Sequence, residues 1–242
     1  MSRTLQVCHL GETPYREGVA IQQALVEKRA AGESDDWLLF PDHPPVLTIG
    51  RAGGWENLKF EADAIRDRGV EIVEVTRGGD VTWHGPGQLV GYVIADLAAL
   101  GHDTHRLLRE IEQSLIDSLT RWGLAGERIE ARTGVWVAGE KIASIGIAVR
   151  RWVSYHGFAL NVCPDLSGFD DIHPCGLKGI AMTSMARKLG TRAPDLAAVR
   201  AEVSAVVARR LGYDEVLEVS ADTARRRAAA IQPTNPMRET SR

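Results

Sequence analysis

Short apolar strands follow one another as hairpins through the middle of the chain, and this succession limits the fold more than any other feature. Residues 134–137 and 141–149 are apolar runs separated by a Gly-containing turn, which predicts a β-hairpin. Residues 88–97 and 151–161 predict two further core strands. Parallel sheets need a long crossover between strands, so hairpins argue against a doubly wound Rossmann domain. The pattern predicts an α/β fold of the α+β kind, a mixed sheet with helices packed on it.

Two long segments with a helical period predict the helices that cover this sheet. Residues 104–122 place Leu107, Ile111 and Leu115 at the three- and four-residue steps of an apolar helix face. Residues 195–211 carry a second such stripe. Each helix therefore has one face to bury against the strands.

No internal repeat and no flexible linker divides the sequence. We predict one domain over residues 1–220. Residues 221–242 hold a basic cluster at 225–227, followed by polar and proline residues. Such a segment buries little apolar surface, so we predict a basic, disordered C-terminal tail there.

The bulk composition is that of an ordinary soluble domain. The chain has 242 residues, of which 44% are hydrophobic and 25% charged, with a formal net charge of −3. No global field therefore favours nucleic acid or a membrane surface. No apolar run approaches the roughly 18 residues that cross a bilayer, and the first residues lack the apolar core of a signal peptide. We expect a cytoplasmic protein that binds neither nucleic acid nor membrane.

A cysteine, a lysine and a Gly-rich loop carry the chemical signal. Cys175 lies between Pro174 and Gly176, a setting that suits a turn and neither a helix interior nor a central strand. Residues 77–88 form a Gly-rich segment whose polar groups are too dense for a core strand, and Lys141 opens an apolar strand. Thiols have a pKa near ~8.5, and a nearby ammonium favours the reactive thiolate. Together these groups indicate a covalent acyl-transfer site.

The other cysteines and the histidines have plainer interpretations. We expect Cys8 and Cys163 to be small buried side chains, the usual state of lone cysteines. His84 competes with Lys141 for the role of catalytic base, since Cys–His pairs are common in thiol enzymes. No pair of histidines has the helical spacing of a zinc site, and the Gly-rich loop lacks the P-loop pattern. The histidines left for supporting or loop positions are His43, His156 and His173.

Five segments in this order resemble the octanoyltransferases of lipoate biosynthesis, also called lipoyl(octanoyl) transferases. The segments are residues 42–51 (DHPPVLTIGR), the Gly-rich loop at 77–88, the Lys141 strand, residues 156–161 (HGFALN) and residues 174–176 (PCG). The resemblance runs from about residue 10 to about residue 185. The family often has Phe or Tyr at the position of Trp83, and we expect this change to reshape the acyl pocket slightly.

The resemblance implies the fold of biotin and lipoate protein ligases, and it implies roles for individual residues. Cys175 would be the nucleophile that carries an acyl thioester, Lys141 its partner, and His84 a substrate-pocket residue and not the base. We expect no metal and no cofactor, because a thioester donor is already activated. The residues expected to form the acyl-substrate site are Arg77, Gly78, Gly79, Asp80, Val81, Thr82, Trp83, His84, Ser144, Ile145, Gly146, Gly157, Phe158 and Ala159.

The implied reaction moves an octanoyl group from octanoyl-acyl carrier protein to a specific lysine of a lipoyl domain, the first step of endogenous protein lipoylation. The acceptors would be lipoyl domains of 2-oxoacid dehydrogenase complexes and the glycine cleavage H protein. Two alternatives stay open at this point. A lipoate-protein ligase would need ATP and a lysine but no cysteine nucleophile, and a non-catalytic module would only bind lipoyl domains or carrier protein. An unusually reactive Cys175 would argue against both.

Overall fold

A computed structural model of the protein describes residues 2–173 and 180–229, and within these ranges the strands form two sheets. The strands are β1 (Thr4–Glu12), β2 (Asp36–Asp42), β3 (Val46–Ile49), β4 (Glu71–Glu74), β5 (Val81–His84), β6 (Gln88–Ile94), β7 (Gly126–Ile129), β8 (Arg132–Val137), β9 (Glu140–Arg150), β10 (Val153–Asn161) and β11 (Glu215–Glu218). The helices are α1 (Tyr15–Ala30), α2 (Ala62–Arg66), α3 (Thr104–Thr120), α4 (Met185–Leu189), α5 (Leu196–Arg210) and α6 (Ala221–Ala229).

Hairpin pairing dominates the larger sheet, as the sequence predicts. Its order is β11-β1-β2-β6-β10-β9-β8-β7, and the smaller sheet has the order β4-β3-β5. β1 runs parallel to β2 and β11, whereas the strands from β2 to β7 along the sheet pair antiparallel. In the smaller sheet β3 is parallel to β4 and antiparallel to β5. The predicted mixed α+β sheet is confirmed.

Helices cover both faces of the larger sheet. The apolar stripes of α3 and α5 bury Leu115 and Val203 in one core with Leu89, Ala143 and Leu160 of the sheet. α1 and α6 cover part of the opposite face. The smaller sheet joins this second side through Tyr15 of α1, whose ring packs with residues of β3 and β4. None of the helices in the described ranges is long and apolar enough to cross a membrane.

The longest predicted helix has a clear start. Asp103 accepts hydrogen bonds from the backbone N–H groups of His105 and Arg106, at 2.8 and 3.0 Å, and so caps α3. The helix ends at Thr120, two residues before the predicted boundary at 122. Its position on the sheet matters for function, because its buried Glu112 reaches the site described below.

The Gly-rich loop contains a strand that sequence reasoning excluded. Residues 81–84 form β5, all four of them buried, and β5 pairs antiparallel with β3. The polar density of residues 77–88 predicts a loop and is wrong for this part. Val81, Thr82 and Trp83 are β-branched or aromatic and favour a strand. Arg77, His84 and Gln88, three polar residues of this segment, are buried and hydrogen-bonded within the protein.

The predicted tail does not begin at residue 221. Residues 221–229 form α6, with Ala224 and Ala228 buried where the helix packs against α1 and β1. Small side chains four residues apart allow the close approach. Two arginines of the basic cluster contact the rest of the protein: Arg225 donates to Glu17 at 2.9 Å, and Arg227 stacks over Trp37. The prediction of disorder is wrong for these nine residues, and its remainder, residues 230–242, lies outside the described ranges.

Candidate active site

A cavity of about 390 Å³ lies between the smaller sheet and the larger one, within the size range of small-molecule sites. The residues of β9 and β10 that line it include four small ones, Ser144, Gly146, Gly157 and Ala159. A Cβ on Gly157 would lie 2.2 Å from the carbonyl oxygen of Gly91, so no larger residue fits there without a shift of the backbone. These small residues leave a slot open above the sheet.

A β-bulge aims Lys141 into this cavity. Val135 of β8 pairs with Ala143, but Trp136 pairs with Lys141, so Ile142 is one residue extra on β9. In a regular strand residues 141 and 143 would share a face, and Ala143 is buried in the core beneath α3 and α5. The extra residue turns Lys141 to the opposite face, which lines the cavity. Bulges often re-aim side chains beside active sites in this way.

The side chain of Lys141 is almost completely buried, at 2% exposure, and is packed closely by β8. Its Nζ lies 5.7 Å from the centroid of the Trp136 ring, within cation–π range. Its Cε occupies the space that a side chain at Gly134 would need, since a Cβ there would lie 2.7 Å away. The N–H of Gly134 donates to the buried Glu112 carboxylate at 3.1 Å, and that carboxylate also pairs with Arg128.

The backbone of Lys141 holds the chain that follows the predicted nucleophile. Its N–H donates to the carbonyl of Ala181, and its carbonyl accepts from the N–H of Thr183, both at 2.9 Å. Ile180 lines the cavity. Cys175 itself lies outside the described residues, five positions before Ile180 in the sequence.

The start of the Gly-rich loop lies against β9. Gly78 donates from its N–H to the carbonyl of Ile147 at 2.9 Å, and a Cβ on Gly146 would lie 2.6 Å from the Gly78 oxygen. Arg77 is buried, and its guanidinium donates to both the carbonyl and the hydroxyl of Thr48 at 2.8 Å. These hydrogen bonds fix the Gly-rich loop to β3 through the Arg77 side chain. Gly78 contributes backbone contacts here and is not among the cavity-lining residues.

Trp83 faces away from the cavity, contrary to the predicted acyl pocket. Side chains alternate along β5, so Thr82 and His84 face the cavity while Trp83 points to the other side. There its ring meets Phe169 edge-on at 5.5 Å. Cβ atoms on Gly85 or Gly168 would lie 2.3 Å from the indole, so these glycines make room for it. The indole at position 83 therefore affects the packing behind the strand and not the shape of the cavity.

His84 belongs to a buried hydrogen-bond chain that ends at Thr183, whose own N–H donates to the carbonyl of Lys141. Its Nδ1 contacts Gln88 Oε1 at 2.7 Å, Gln88 donates to Asn161 at 2.9 Å, and Asn161 donates to the carbonyl of Thr183 at 3.0 Å. Burial, with smaller contributions from neighbours such as His43, lowers the pKa of His84 to about 3. A neutral ring with so low a pKa is a poor proton acceptor at neutral pH. This favours a pocket role for His84 over that of the base.

His156 is a second buried imidazole on the cavity wall, and its Nδ1 has no hydrogen-bond partner among the described residues. Its φ of 59° is in the left-handed region, which is uncommon for a non-glycine residue. This conformation turns its N–H out of the ladder toward Gln22 of α1, whose Oε1 accepts at 2.7 Å. Burial, followed by the positive charge of Arg77, lowers the pKa of His156 to about 3.

These two imidazoles predict a loss of stability in weak acid. In the unfolded chain histidine takes up a proton near pH ~6.5, whereas folded His84 and His156 do so only near pH 3. The unfolded state binds more protons between these values, so the free energy of unfolding is retained above pH ~6.5 and falls as the pH drops below it. Each imidazole should cost about 1.4 kcal/mol between pH 7.5 and 5.5.

Urea unfolding of the wild type and of His84→Gln at these two pH values measures this effect. The variant should lose about 1.4 kcal/mol less than the wild type on acidification, whatever its stability at pH 7.5. His105→Gln, on the exposed side of α3, is the control and should keep the wild-type difference. Equal acid sensitivity of His84→Gln and the wild type would contradict the buried neutral state of His84.

The two described cysteines differ in exposure. Cys8 is buried in β1, as predicted, and burial raises the pKa of its thiol to about 11. Cys163 is exposed, so the prediction that it is buried is wrong. It follows the end of β10, where its N–H donates to Gly87 and its side chain is left at the surface. Within residues 2–173 and 180–229, no cluster of His, Cys, Asp and Glu is arranged to hold a metal ion.

The structure brings most of the predicted site residues to one cavity and adds others that sequence reasoning missed. Predicted residues that line it are Lys141, Arg77, Gly79, Asp80, Val81, Thr82, His84, Ser144, Ile145, Gly146, Gly157, Phe158 and Ala159. Residues found only in the structure include Tyr15, Val90, Tyr92, Arg132, Thr133, Trp136 and Ile180. Tyr92 and Trp136 lie on predicted strands, where the apolar pattern indicates burial and gives no sign of a cavity.

The fold agrees with that of solved protein ligases. A lipoate-protein ligase A bound with ATP has a TM-score of 0.75 over 95% of this chain and 94% of that one, at 17% identity. A biotin protein ligase from Aquifex aeolicus, in complex with biotin and ATP, has a TM-score of 0.50 over 87% of this chain and 71% of that one, at 13% identity. Likeness at such identities concerns the fold alone, and it confirms the ligase-like fold expected from the sequence.

Comparison of the sequence with protein families and individual proteins identifies the family within this fold. The family model described as the lipoyl protein ligase A/B catalytic domain matches residues 14–208. An octanoyltransferase of Geobacter sulfurreducens is 47% identical over 201 residues, which cover 83% of this chain and 82% of that protein. The family-model match includes every described residue that lines the cavity. The chain therefore belongs to the octanoyltransferases within the lipoyl protein ligase A/B catalytic domain family and is an acyltransferase.

Proposed function

We propose that the protein transfers an octanoyl group from octanoyl-acyl carrier protein to a specific lysine of a lipoyl domain, through a thioester on Cys175. The observation that carries the proposal is the buried Lys141, aimed by a bulge into a slot lined by small residues of β9 and β10. A slot of this kind accepts an unbranched alkyl chain, and an amine at its wall can exchange protons beside the reacting carbonyl. Acceptors of this reaction are lipoyl domains of 2-oxoacid dehydrogenase complexes and the glycine cleavage H protein.

The first half-reaction forms the acyl-enzyme. The Cys175 thiolate attacks the thioester carbonyl, a new carbon–sulfur bond forms, and the bond to the phosphopantetheine sulfur breaks. The departing thiolate takes a proton from the Lys141 ammonium, so free carrier-protein thiol and a neutral amine remain. Burial of Lys141 beneath Trp136 keeps this proton exchange away from bulk water.

The second half-reaction forms the amide. The amine of the acceptor lysine attacks the Cys175 thioester, and the carbon–sulfur bond breaks. The neutral Lys141 amine accepts the proton that the entering nitrogen loses, which restores the ammonium and the thiolate. No ATP is consumed, since the thioester supplies the driving force. In this respect the proposed reaction differs from that of a ligase, which must first activate a free acid.

Intact-mass spectrometry of the protein mixed with octanoyl-acyl carrier protein tests the proposal. In buffer with EDTA and without nucleotide, the protein should gain the mass of one octanoyl group and lose it when a lipoyl domain is added. Cys175→Ala should remain unmodified, and Cys163→Ala, which removes an exposed thiol, should react as the wild type does. A requirement for ATP and free octanoate would assign the chain to the ligase chemistry. Binding without acylation would assign it to a non-catalytic module.

Thiol reactivity provides an independent prediction. Brief alkylation with iodoacetamide at neutral pH should label Cys175 first, because a nearby ammonium favours its thiolate. Cys163 should react more slowly although it is exposed, and the buried Cys8, with its raised pKa of about 11, should stay unlabelled. Peptide mapping of partly alkylated protein measures the three rates. Labelling of Cys163 as fast as Cys175 would contradict an activated thiol at position 175.

A further inference from the structure

Arg132 lies at the rim of the cavity, at the start of β8. It pairs with Ile129 of β7 across a two-residue turn, and Ala131 in that turn has a φ of 60°. Both Ala131 and Arg132 are exposed and line the cavity. An exposed guanidinium is therefore attached to the same hairpin that holds Lys141.

The indole of Trp136 orients this guanidinium without using its N–H donors. Arg132, Gly134 and Trp136 follow one another at two-residue steps along β8, whose pairing with β7 shifts register within this stretch. Gly134 has no side chain, so Arg132 reaches along the strand until its Cζ lies 5.9 Å from the Trp136 ring centroid. Across residues 2–173 and 180–229, this ring is the partner found for the Arg132 side chain, and no carboxylate pairs with it. Its donors remain available at the opening.

The other cations on the cavity wall are committed elsewhere. Arg77 is buried and donates to Thr48 and Gly78, so its position is set by the loop. Lys141 is buried and contacts the same Trp136 ring as Arg132 does. Among the described cavity-lining residues, Arg132 is thus the exposed cation at the mouth.

We infer that Arg132 binds the phosphodiester of the donor's phosphopantetheine arm. This inference rests on the proposed function, because it names the part of the proposed donor that the mouth recognises. A guanidinium presents paired N–H donors that match two oxygens of a phosphate. The acyl chain would lie in the slot, the thioester beside Lys141, and the phosphodiester outside at the rim. The alternative ligand is a carboxylate of the acceptor domain, which would make Arg132 act in the second half-reaction.

Two donors that differ only in the phosphate test the inference. Octanoyl-4′-phosphopantetheine and octanoyl-pantetheine carry the same acyl thioester, and the rate of acyl-enzyme formation is measured with each by intact mass. Wild-type protein should prefer the phosphorylated donor by about tenfold in kcat/KM, which corresponds to about 1.4 kcal/mol. Arg132→Gln should lose this preference, so that its kcat/KM values for the two donors become equal. Arg209→Gln, on a helix that covers the other face of the large sheet, should keep the preference.

Each outcome of this experiment has one meaning. Equal rates of the wild type with both donors would overturn the inference and leave the proposed function intact. An Arg132→Gln variant that keeps the preference, or that is slow only in transfer to the lipoyl domain, would also overturn it. Failure of the wild type to acquire an octanoyl group from any thioester would instead overturn the proposed function.

Discussion

Lys141→Met is expected to reduce both the acylation of Cys175 and the transfer to the lipoyl domain, each by about 10²- to 10⁴-fold, the usual range for a positioned proton donor or acceptor. Methionine removes the charge that favours the thiolate and the amine that exchanges protons. Lys141→Arg should separate these two tasks. Arginine keeps a positive charge but does not give up its proton near neutral pH, so a slow acyl-enzyme should form and transfer should fail more severely.

Single-turnover mass spectrometry, following acyl-enzyme and octanoylated lipoyl domain separately, measures both steps. Lys188→Met is the matched control, because this lysine forms a partly exposed ion pair with Glu140 at the start of the same strand. It should change neither step by more than a few-fold. A Lys141→Arg variant that transfers at the wild-type rate would leave Lys141 as an electrostatic partner alone. The base would then have to be sought in His84, despite its low pKa.

Gly134→Ala is expected to lower kcat/KM for acyl transfer by about 10²-fold, the loss that accompanies a displacement of roughly 1 Å at a reacting group. The new Cβ would lie 2.7 Å from Lys141 Cε and 2.6 Å from the carbonyl of Ala143, so the lysine side chain must move. The φ of 132° at Gly134 adds backbone strain for any residue with a Cβ. Activity should fall through Lys141, whose side chain shares this crowded space with the carbonyl of Ala143.

A second glycine with a positive φ serves as a control, because it separates the effect of the Cβ contact with Lys141 from that of backbone strain. Gly139 also has a positive φ, 76°, but a Cβ there would meet nothing within 4 Å. Gly139→Ala should therefore lower the free energy of unfolding and leave kcat/KM near the wild-type value. In the Lys141→Met background, Gly134→Ala should cost little further activity, because both changes act on one side chain. A full additional 10²-fold loss in the double variant would show that Gly134 acts through something other than Lys141.

The sequence predicts the sheet and its long helices because their periods are local. Leu107, Ile111 and Leu115 repeat at helical steps whatever the rest of the chain does. β7 and β11 escape prediction for the opposite reason. β11 is exposed along its whole length and pairs with β1, the first strand in the chain. Its existence depends on a long-range contact that no local pattern records.

The sequence predicts those residues of the candidate site that belong to a motif. It misses those that reach the site only through the packing of distant elements. The loop at 77–88 and the Lys141 strand stand out as polar groups beside glycines. Tyr15 and Trp136 look like ordinary core residues, and only the folded arrangement of α1 and β8 brings them to the cavity. The prediction places Trp83 in the cavity wall because it treats residues 77–88 as a loop. The alternation that turns Trp83 away from the cavity becomes evident only once residues 81–84 are known to form a strand.

The extra residue on β9 carries a lesson for anyone who would build this chemistry into another scaffold. Counted from Trp136, the amine reaches the slot only because Ile142 interrupts the regular pairing of β8 with β9. A copy of the hairpin with regular β8–β9 pairing would have a more regular sheet, but its lysine would point into the hydrophobic core. Deletion of Ile142 would restore the regular pairing of β8 with β9 and place Lys141 on the face that bears Ala143. For the mechanism proposed above, the irregular pairing of this strand is thus a feature that any transplant has to preserve.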